Sequence, residues 1–154
     1  MLVRSLAASL ALGAVGVWMG TRFIASEEAH AGQMYREVIV EASDEDTIRT
    51  RSYSGKPMRV KKNVYVEEWE SHPGDIQPFP QQAILSSRAG VMGGIGGQIE
   101  GLDADRSAFA MGQSAGGVRD VLPAGEIVRR IMAEAESAID RVSALRAGQG
   151  ALAR

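Results

Sequence analysis

Two short segments of this chain carry small residues that can bring backbone N–H groups close to an anionic ligand. In the first, GVWMGTRF, an apolar run ends at Gly20 and Thr21. In the second, the apolar stretch AFAM is followed by GQSAGG, which contains Gln113 and Ser114. A glycine at the end of a strand lets N–H groups approach a phosphate, but it can equally form a simple turn, and Gln113 and Ser114 can cap a helix. The residues alone leave these alternatives open.

Most other patterns that carry catalysis are absent from the sequence. The chain has no cysteine, which excludes disulfides, thiolate metal sites and cysteine nucleophiles. No Ser-His-Asp order, paired-carboxylate motif or metal-ligand spacing is evident. The two histidines, His30 and His72, are predicted on the exposed side of a helix and in a loop. The glycine cluster at 94–97 follows no strand, so it is weak evidence for a dinucleotide site and predicts a mobile loop.

Composition limits the broad class of the protein. A length of 154 residues suits one domain with its own core and hardly suits two. The hydrophobic and charged fractions, 45% and 23%, are those of a globular chain. The formal net charge of −2 gives no electrostatic reason to expect nucleic acid as a partner.

The first 31 residues have two interpretations. A secretion signal would combine the apolar run 6–17 with the small-x-small site at 29–31, and would leave a small exported binding module. Charged residues between these two parts, and an apolar run shorter than the ~20 residues that span a bilayer, favour an α/β unit instead. That unit has a helix over residues 2–12, a glycine stop and a short buried strand over residues 14–19.

The rest of the chain reads as alternating helices and strands with polar turns. The patterns predict a helix capped by Ser26 that runs to about Ala42, strands over 47–53 and 58–66, a short helix over 81–87, and a long amphipathic helix that starts near Pro123 and frays after Ala147.

Five segments, in order, resemble the C-terminal portion of the nitronate monooxygenases, once called 2-nitropropane dioxygenases. They are the run that ends in GVWMGTRF, followed by GKPMRVKKN, EWE, PFPQ and GQSAG ahead of the terminal helix. Each motif is short, but the ordered series is specific, and it covers residues 4 to about 145.

The resemblance implies an α/β fold, namely the C-terminal fragment of an FMN-binding (β/α)8 TIM barrel plus its smaller α+β substrate-side domain. On this mapping, residues 1–22 are the last barrel helix and strand, and residues 23–102 form the substrate-side insertion domain. Residues 103–147 return to the barrel with its closing helix, and residues 148–154 are a tail.

The same resemblance assigns a cofactor and its binding residues. Met19, Gly20 and Thr21 would lie at the FMN phosphate, and Gln113 and Ser114 would lie near the cofactor on the returning loop. The implied reaction is the oxidative denitrification of a small-molecule alkyl nitronate with O2, by a flavoprotein oxidoreductase.

The family's catalytic histidine belongs to a barrel segment upstream of these motifs, so no catalytic residue is assigned in this chain. The resemblance therefore implies a truncated member, whose last barrel strand would have open hydrogen-bonding edges and an uncovered apolar face. We expect such a chain to be poorly soluble, partly molten or dependent on a complementing fragment.

Arg22 has two possible partners, the FMN phosphate or a surface carboxylate of Glu27 or Glu28.

A second flavin family shares these motifs. Flavin-dependent enoyl-acyl carrier reductases have similar GTRF and GQSAG elements, so a related oxidoreductase is the alternative, alongside the exported binding module. The resemblance implies a cytoplasmic protein with no membrane or nucleic-acid partner, and it leaves room for a homo-oligomer.

Overall fold

The computed structural model describes the backbone of residues 2–98 and 100–151, and the side chains of residues 6–98 and 100–145. In order, the elements of the described residues are α1 (Leu2–Ala11), α2 (Thr21–Ile24), α3 (Gln33–Glu41), β1 (Thr47–Thr50), β2 (Met58–Lys61), α4 (Val64–Glu70), a 3-10 turn (Pro73–Asp75), α5 (Gln81–Arg88), a second 3-10 turn (Gln113–Gly117) and α6 (Ala124–Ala151).

Helix α1 ends as its sequence predicts. Gly13 takes a φ of 94°, a left-handed conformation that suits glycine. The N–H of Gly13 donates to the Leu10 carbonyl at 3.0 Å, and the N–H of Ala14 donates to the Ser9 carbonyl at 2.9 Å. These bonds satisfy carbonyls that the last turn of a helix otherwise leaves unpaired.

The buried strand expected over residues 14–19 does not form, and this prediction is wrong. The segment has no ladder partner among the described residues. Val15 and Trp18 are almost fully exposed, with relative accessibilities of 105% and 98%. A strand exists only through hydrogen bonds to a neighbour, so an apolar segment without a neighbouring strand stays irregular.

The second helix begins later than its sequence indicates. Ser26 does not cap it, because Ser26 forms an isolated parallel bridge with Leu122, and the N–H of Glu27 donates to the Leu122 carbonyl at 3.1 Å. Helix α3 instead starts at Gln33, after Gly32, and ends before Ala42 as expected. A tertiary contact to the chain ahead of α6 thus replaces the local cap.

The predicted pair of strands is present but shorter. Strands β1 and β2 form an antiparallel ladder in which Thr47 pairs with Lys61 and Thr50 pairs with Met58. The prediction of strand as far as Val66 is wrong, because the side chain of Asn63 accepts a hydrogen bond from the Val66 N–H at 3.1 Å and starts helix α4. The short helix predicted over 81–87 is confirmed as α5.

The segment 108–111 joins these elements into a core. It lies antiparallel beside β2, with the Lys61 N–H donating to the Phe109 carbonyl at 3.0 Å and the Met111 N–H donating to the Arg59 carbonyl at 3.2 Å. Phe109 is fully buried and packs edge-on against Tyr35 of α3, with ring centroids 5.1 Å apart. The second small-residue loop therefore starts from a fixed, buried segment.

Helix α6 packs against α1 through a smaller apolar cluster. Ile127, Ile131 and Ala135 are buried against Leu6. The same predicted apolar face continues to Val142 and Leu145, which are exposed by 67% and 73%. The helix extends to Ala151, so the tail predicted to fray after Ala147 is helical over its first residues, while residues 152–154 lie outside the described chain.

Candidate functional site

The first predicted loop is an open corner in front of helix α2. Gly20 precedes this helix, and a Cβ built on Gly20 would meet no other atom within 4 Å. Within the described part of the chain, the N–H groups of Gly20 and Thr21 have no hydrogen-bond acceptor. Free N–H groups without a covering side chain are what a phosphate oxygen requires.

The second predicted loop lies directly beside this corner. The N–H of Gly112 donates to Oγ1 of Thr21 at 3.0 Å. A Cβ on Gly112 would lie 3.5 Å from Oγ of Ser114 and 3.7 Å from Oγ1 of Thr21. Two hydroxyl groups from distant parts of the sequence thus flank one glycine, and each can still donate its own hydrogen.

The remaining predicted residues lie at the edges of this arrangement. Met19 is half-buried and contacts the apolar cluster between α1 and α6. Gln113 is exposed at the start of the second 3-10 turn, directly after the N-cap residue Gly112. The structure therefore brings Thr21 and Ser114 together and leaves Gln113 on the surface.

An arginine that the sequence left unassigned fixes the corner in place. Arg22 is 7% exposed, and its guanidinium donates to Oδ1 of Asp120 at 2.7 Å and to the Asp120 carbonyl at 2.9 Å. It pairs with neither Glu27 nor Glu28. Burial lowers the pKa of Arg22, and the Asp120 carboxylate opposes that shift. The two residues are 98 positions apart, so no local pattern predicts the pair.

A cleft of about 540 Å³ opens next to Gly20. Met19 and Gly20 line one side, and Gly94 and Gly97 of the glycine cluster line another. A Cβ on Gly94 would collide with the Ala108 carbonyl, so close packing requires that glycine. The glycine cluster, which showed no strand-linked fingerprint, thus contributes to a wall of the cleft.

Two ionisable side chains line this cleft, His30 and Tyr35. Sequence reasoning assigned neither residue to the site. His30 was expected on a helix, but helix α3 begins only at Gln33. The Tyr35 hydroxyl donates to the Ala110 carbonyl at 2.6 Å. Burial raises the pKa of Tyr35 to about 12, so it stays neutral at ordinary pH. His72, by contrast, lies in a turn as predicted, with Nδ1 at 2.9 Å from the Ser71 hydroxyl.

The donor set suits a phosphate-bearing organic cofactor better than a metal ion. Among the described residues, no group of three His, Cys, Asp or Glu side chains could hold a metal. The free N–H groups at the open corner of Gly20 and the adjacent Thr21 and Ser114 hydroxyls are neutral donors that fit a phosphate.

No described helix combines the length and apolar character that a membrane crossing requires.

Comparison with solved structures places the chain in a known fold. It matches FabK from Thermotoga maritima with a TM-score of 0.74 and 32% identity, covering 92% of this chain and 43% of FabK. It matches a nitroalkane oxidase from Streptomyces ansochromogenes with a TM-score of 0.73 and 27% identity, covering 91% of this chain and 38% of that one. These matches confirm the expected fold class, part of a (β/α)8 flavoenzyme barrel with a smaller domain.

Sequence comparison gives the family. A probable nitronate monooxygenase from Staphylococcus aureus is 39% identical over 84 residues, which are 54% of this chain and 24% of the relative. The match thus spans about a quarter of the relative's length. The family model for nitronate monooxygenase matches residues 1–134, most of the chain. The chain therefore belongs to the nitronate monooxygenase family of oxidoreductases.

Proposed function

We propose that this chain is part of an FMN-dependent nitronate monooxygenase that oxidises alkyl nitronates with O2. The observation that carries the proposal is the corner at Gly20 and Thr21, which is open and lies against the loop at Gly112 and Ser114. These are two separate segments to which the family resemblance assigns cofactor contacts. Their adjacency supports one ligand that touches both.

Three residues, with four donor groups between them, would hold the phosphate end of FMN. The N–H groups of Gly20 and Thr21 would donate to phosphate oxygens, and the hydroxyls of Thr21 and Ser114 would add donors. Gln113 would contact the cofactor from the surface, and Met19 would contact it from the cleft side. When bound, FMN supplies the electron transfer from the anionic substrate to O2. The residues of this chain would bind and orient the cofactor.

A related flavin-dependent enoyl-acyl carrier reductase is the second candidate. The likeness to FabK favours it, since FabK matches this chain as well as the nitroalkane oxidase does. The phosphate corner suits either activity, so the two candidates differ in substrate and in electron donor.

The small exported module has less support. The family match begins at residue 1 and so includes the segment that a secretion signal would occupy. Ala25 and Ser26 in this segment are buried, and Ala31 packs against the core around α3. We propose that residues 1–31 serve the enzyme fold of a cytoplasmic protein.

The test is an activity assay with complementation. The chain is mixed with FMN and with a polypeptide that supplies the part of the staphylococcal relative it does not match. We expect O2 uptake and nitrite release with propionate 3-nitronate, reduced by Gly20→Val. Reduction of an enoyl thioester by a reduced nicotinamide would favour the second candidate. Activity on neither substrate would contradict both.

A further inference from the structure

His30 is the one side chain on the described cleft walls that can bind an anion through an uncommitted polar group. Among the residues that the structure describes, no Asp, Glu, Lys or Arg side chain lines the cleft. The Tyr35 hydroxyl is committed to the Ala110 carbonyl. Among the described residues, neither ring nitrogen of His30 has a hydrogen-bond partner, and its side chain is exposed.

The turn that carries His30 is held in place. The Arg36 guanidinium on α3 donates to the Ala29 carbonyl at 2.9 Å, and the Ala31 N–H donates to the same carbonyl at 2.8 Å. The neighbouring acid, Glu28, accepts from the Ala124 N–H at 2.8 Å at the start of α6. The ring itself lies beside Gly97, where a Cβ would be 4.0 Å from Cδ2 of His30.

The rest of the cleft is apolar or small. Phe23, Ile24 and Ile95 are among its walls, and Met19 and Gly20 connect it to the proposed phosphate corner. Such a site offers one N–H donor for a negatively charged head and an apolar surface for a short alkyl chain. Since no carboxylate is among the described lining residues, an anion in the cleft meets no like charge on those walls.

We propose that His30 binds the anionic oxygens of a small alkyl nitronate in this cleft. The role rests on the proposed function, since the nitronate is its substrate class. An imidazole N–H donates to a nitronate oxygen, and the alkyl chain lies on the apolar walls. His30 is a substrate-binding residue in this account, and no bond is made or broken at its ring.

The test follows the ring signals of the two histidines by NMR during titration with ethylnitronate. His72 is a matched internal control, since it is an exposed histidine outside the cleft. Neutral nitroethane tests the need for charge, and propionate tests whether a carboxylate serves equally. Binding to the variants is followed on the Tyr35 and Gly97 signals.

We expect a saturable shift of the His30 signal with ethylnitronate and little change at His72 or with nitroethane. His30→Leu should weaken nitronate binding roughly tenfold or more, as expected for loss of a hydrogen bond to a charged group, and His72→Leu should leave it unchanged. Stronger binding of propionate would identify a carboxylate site and overturn the nitronate assignment. Equal shifts at both histidines, or unchanged binding by His30→Leu, would overturn the role of His30.

The same samples separate this inference from the cofactor proposal. FMN is added and followed on the amide signals of Gly20 and Thr21. A nitronate response at His30 without an FMN response at Gly20 and Thr21 would support the His30 site and count against the FMN proposal. An FMN response at Gly20 and Thr21 without a nitronate response at His30 would support the FMN proposal and count against the His30 site.

Discussion

Two positions on the cleft are occupied by glycine for different reasons. At Gly94 the fold requires glycine, because a Cβ would collide with the Ala108 carbonyl. At Gly20 a Cβ would meet nothing within 4 Å, and the backbone φ of −88° is open to any residue. Packing within the described chain therefore explains Gly94, whereas at Gly20 the proposed FMN phosphate would supply the reason.

Replacement of Gly20 tests that explanation at the level of one residue. We expect Gly20→Val to leave the thermal unfolding midpoint nearly unchanged and to weaken FMN binding roughly tenfold, because the side chain blocks charge-assisted N–H donors. Fluorescence titration of FMN measures the affinity. Gly74→Val is the control, since Gly74 also has open space around it and lies in a distant turn. An equal loss in both variants would contradict a specific role for Gly20.

The buried tyrosines make stability depend on alkaline pH. Burial raises the pKa of Tyr35 and of Tyr53 from 10.0 to about 12. Between these values the unfolded chain releases the proton first, so the free energy of unfolding falls as pH rises from about 10 to about 12. Urea titrations across this range measure the decline. Tyr35→Phe should make it shallower, and an unchanged slope would contradict the assignment.

At the scale of elements, the predictions that held rest on local patterns. The apolar spacing of α1 and α6 follows the helical period, Gly13 ends α1, and loop signals at Pro78 and Pro80 precede α5, so neighbouring residues suffice to predict these helices. The strand over residues 14–19 failed, because a strand needs a partner that local spacing cannot supply. The cap at Ser26 failed, because Leu122 competes for the same backbone.

The candidate site, like the fold, was predictable from local sequence only in part. The glycine corner and the GQSAG loop were predicted from motifs, but their contact spans 91 residues and has no local signal. The pairing of Arg22 with Asp120 and the approach of His30 to the cleft also depend on distant packing. These features appear only once the chain is folded.

The Arg22–Asp120 pair joins α2 to the chain that follows the second 3-10 turn. We expect Asp120→Asn to lower the free energy of unfolding by about 1–2 kcal/mol, because Arg22 is buried and loses a charged acceptor, while the half-exposed carboxylate limits the effect. Denaturant unfolding measures the change. Glu68→Gln removes the exposed partner of Arg106 and should change stability little. Equal effects of both variants would contradict an anchoring role.

At the scale of the whole molecule, a large part of the apolar surface is uncovered. Leu12, Val15 and Trp18 are at least 90% exposed. An apolar groove of about 470 Å³ lies between α1 and α6, with Leu10, Ile139 and Val142 among its walls. Contiguous apolar surface of this kind promotes association. Val15 and Trp18 belong to the segment 14–19, which the family resemblance assigns to the last barrel strand.

Removal of this surface should make the chain less prone to self-association. We expect the double variant Val15→Ser, Trp18→Ser to bind less of an apolar dye and to sediment more nearly as a monomer than the parent chain. The control is Val64→Ser, Ile84→Ser, which replaces two exposed apolar residues on α4 and α5. If the control reduced association as much, the segment 14–19 would have no special part in it.

The proposed function depends on binding of the FMN phosphate at the corner formed by Gly20 and Thr21. The most direct measurement compares FMN with riboflavin, which lacks the phosphate, by amide proton–nitrogen NMR of this chain. We expect FMN to shift the Gly20 and Thr21 signals in a saturable manner and riboflavin to leave them in place. Equal shifts by both ligands, or no shift by either, would contradict it.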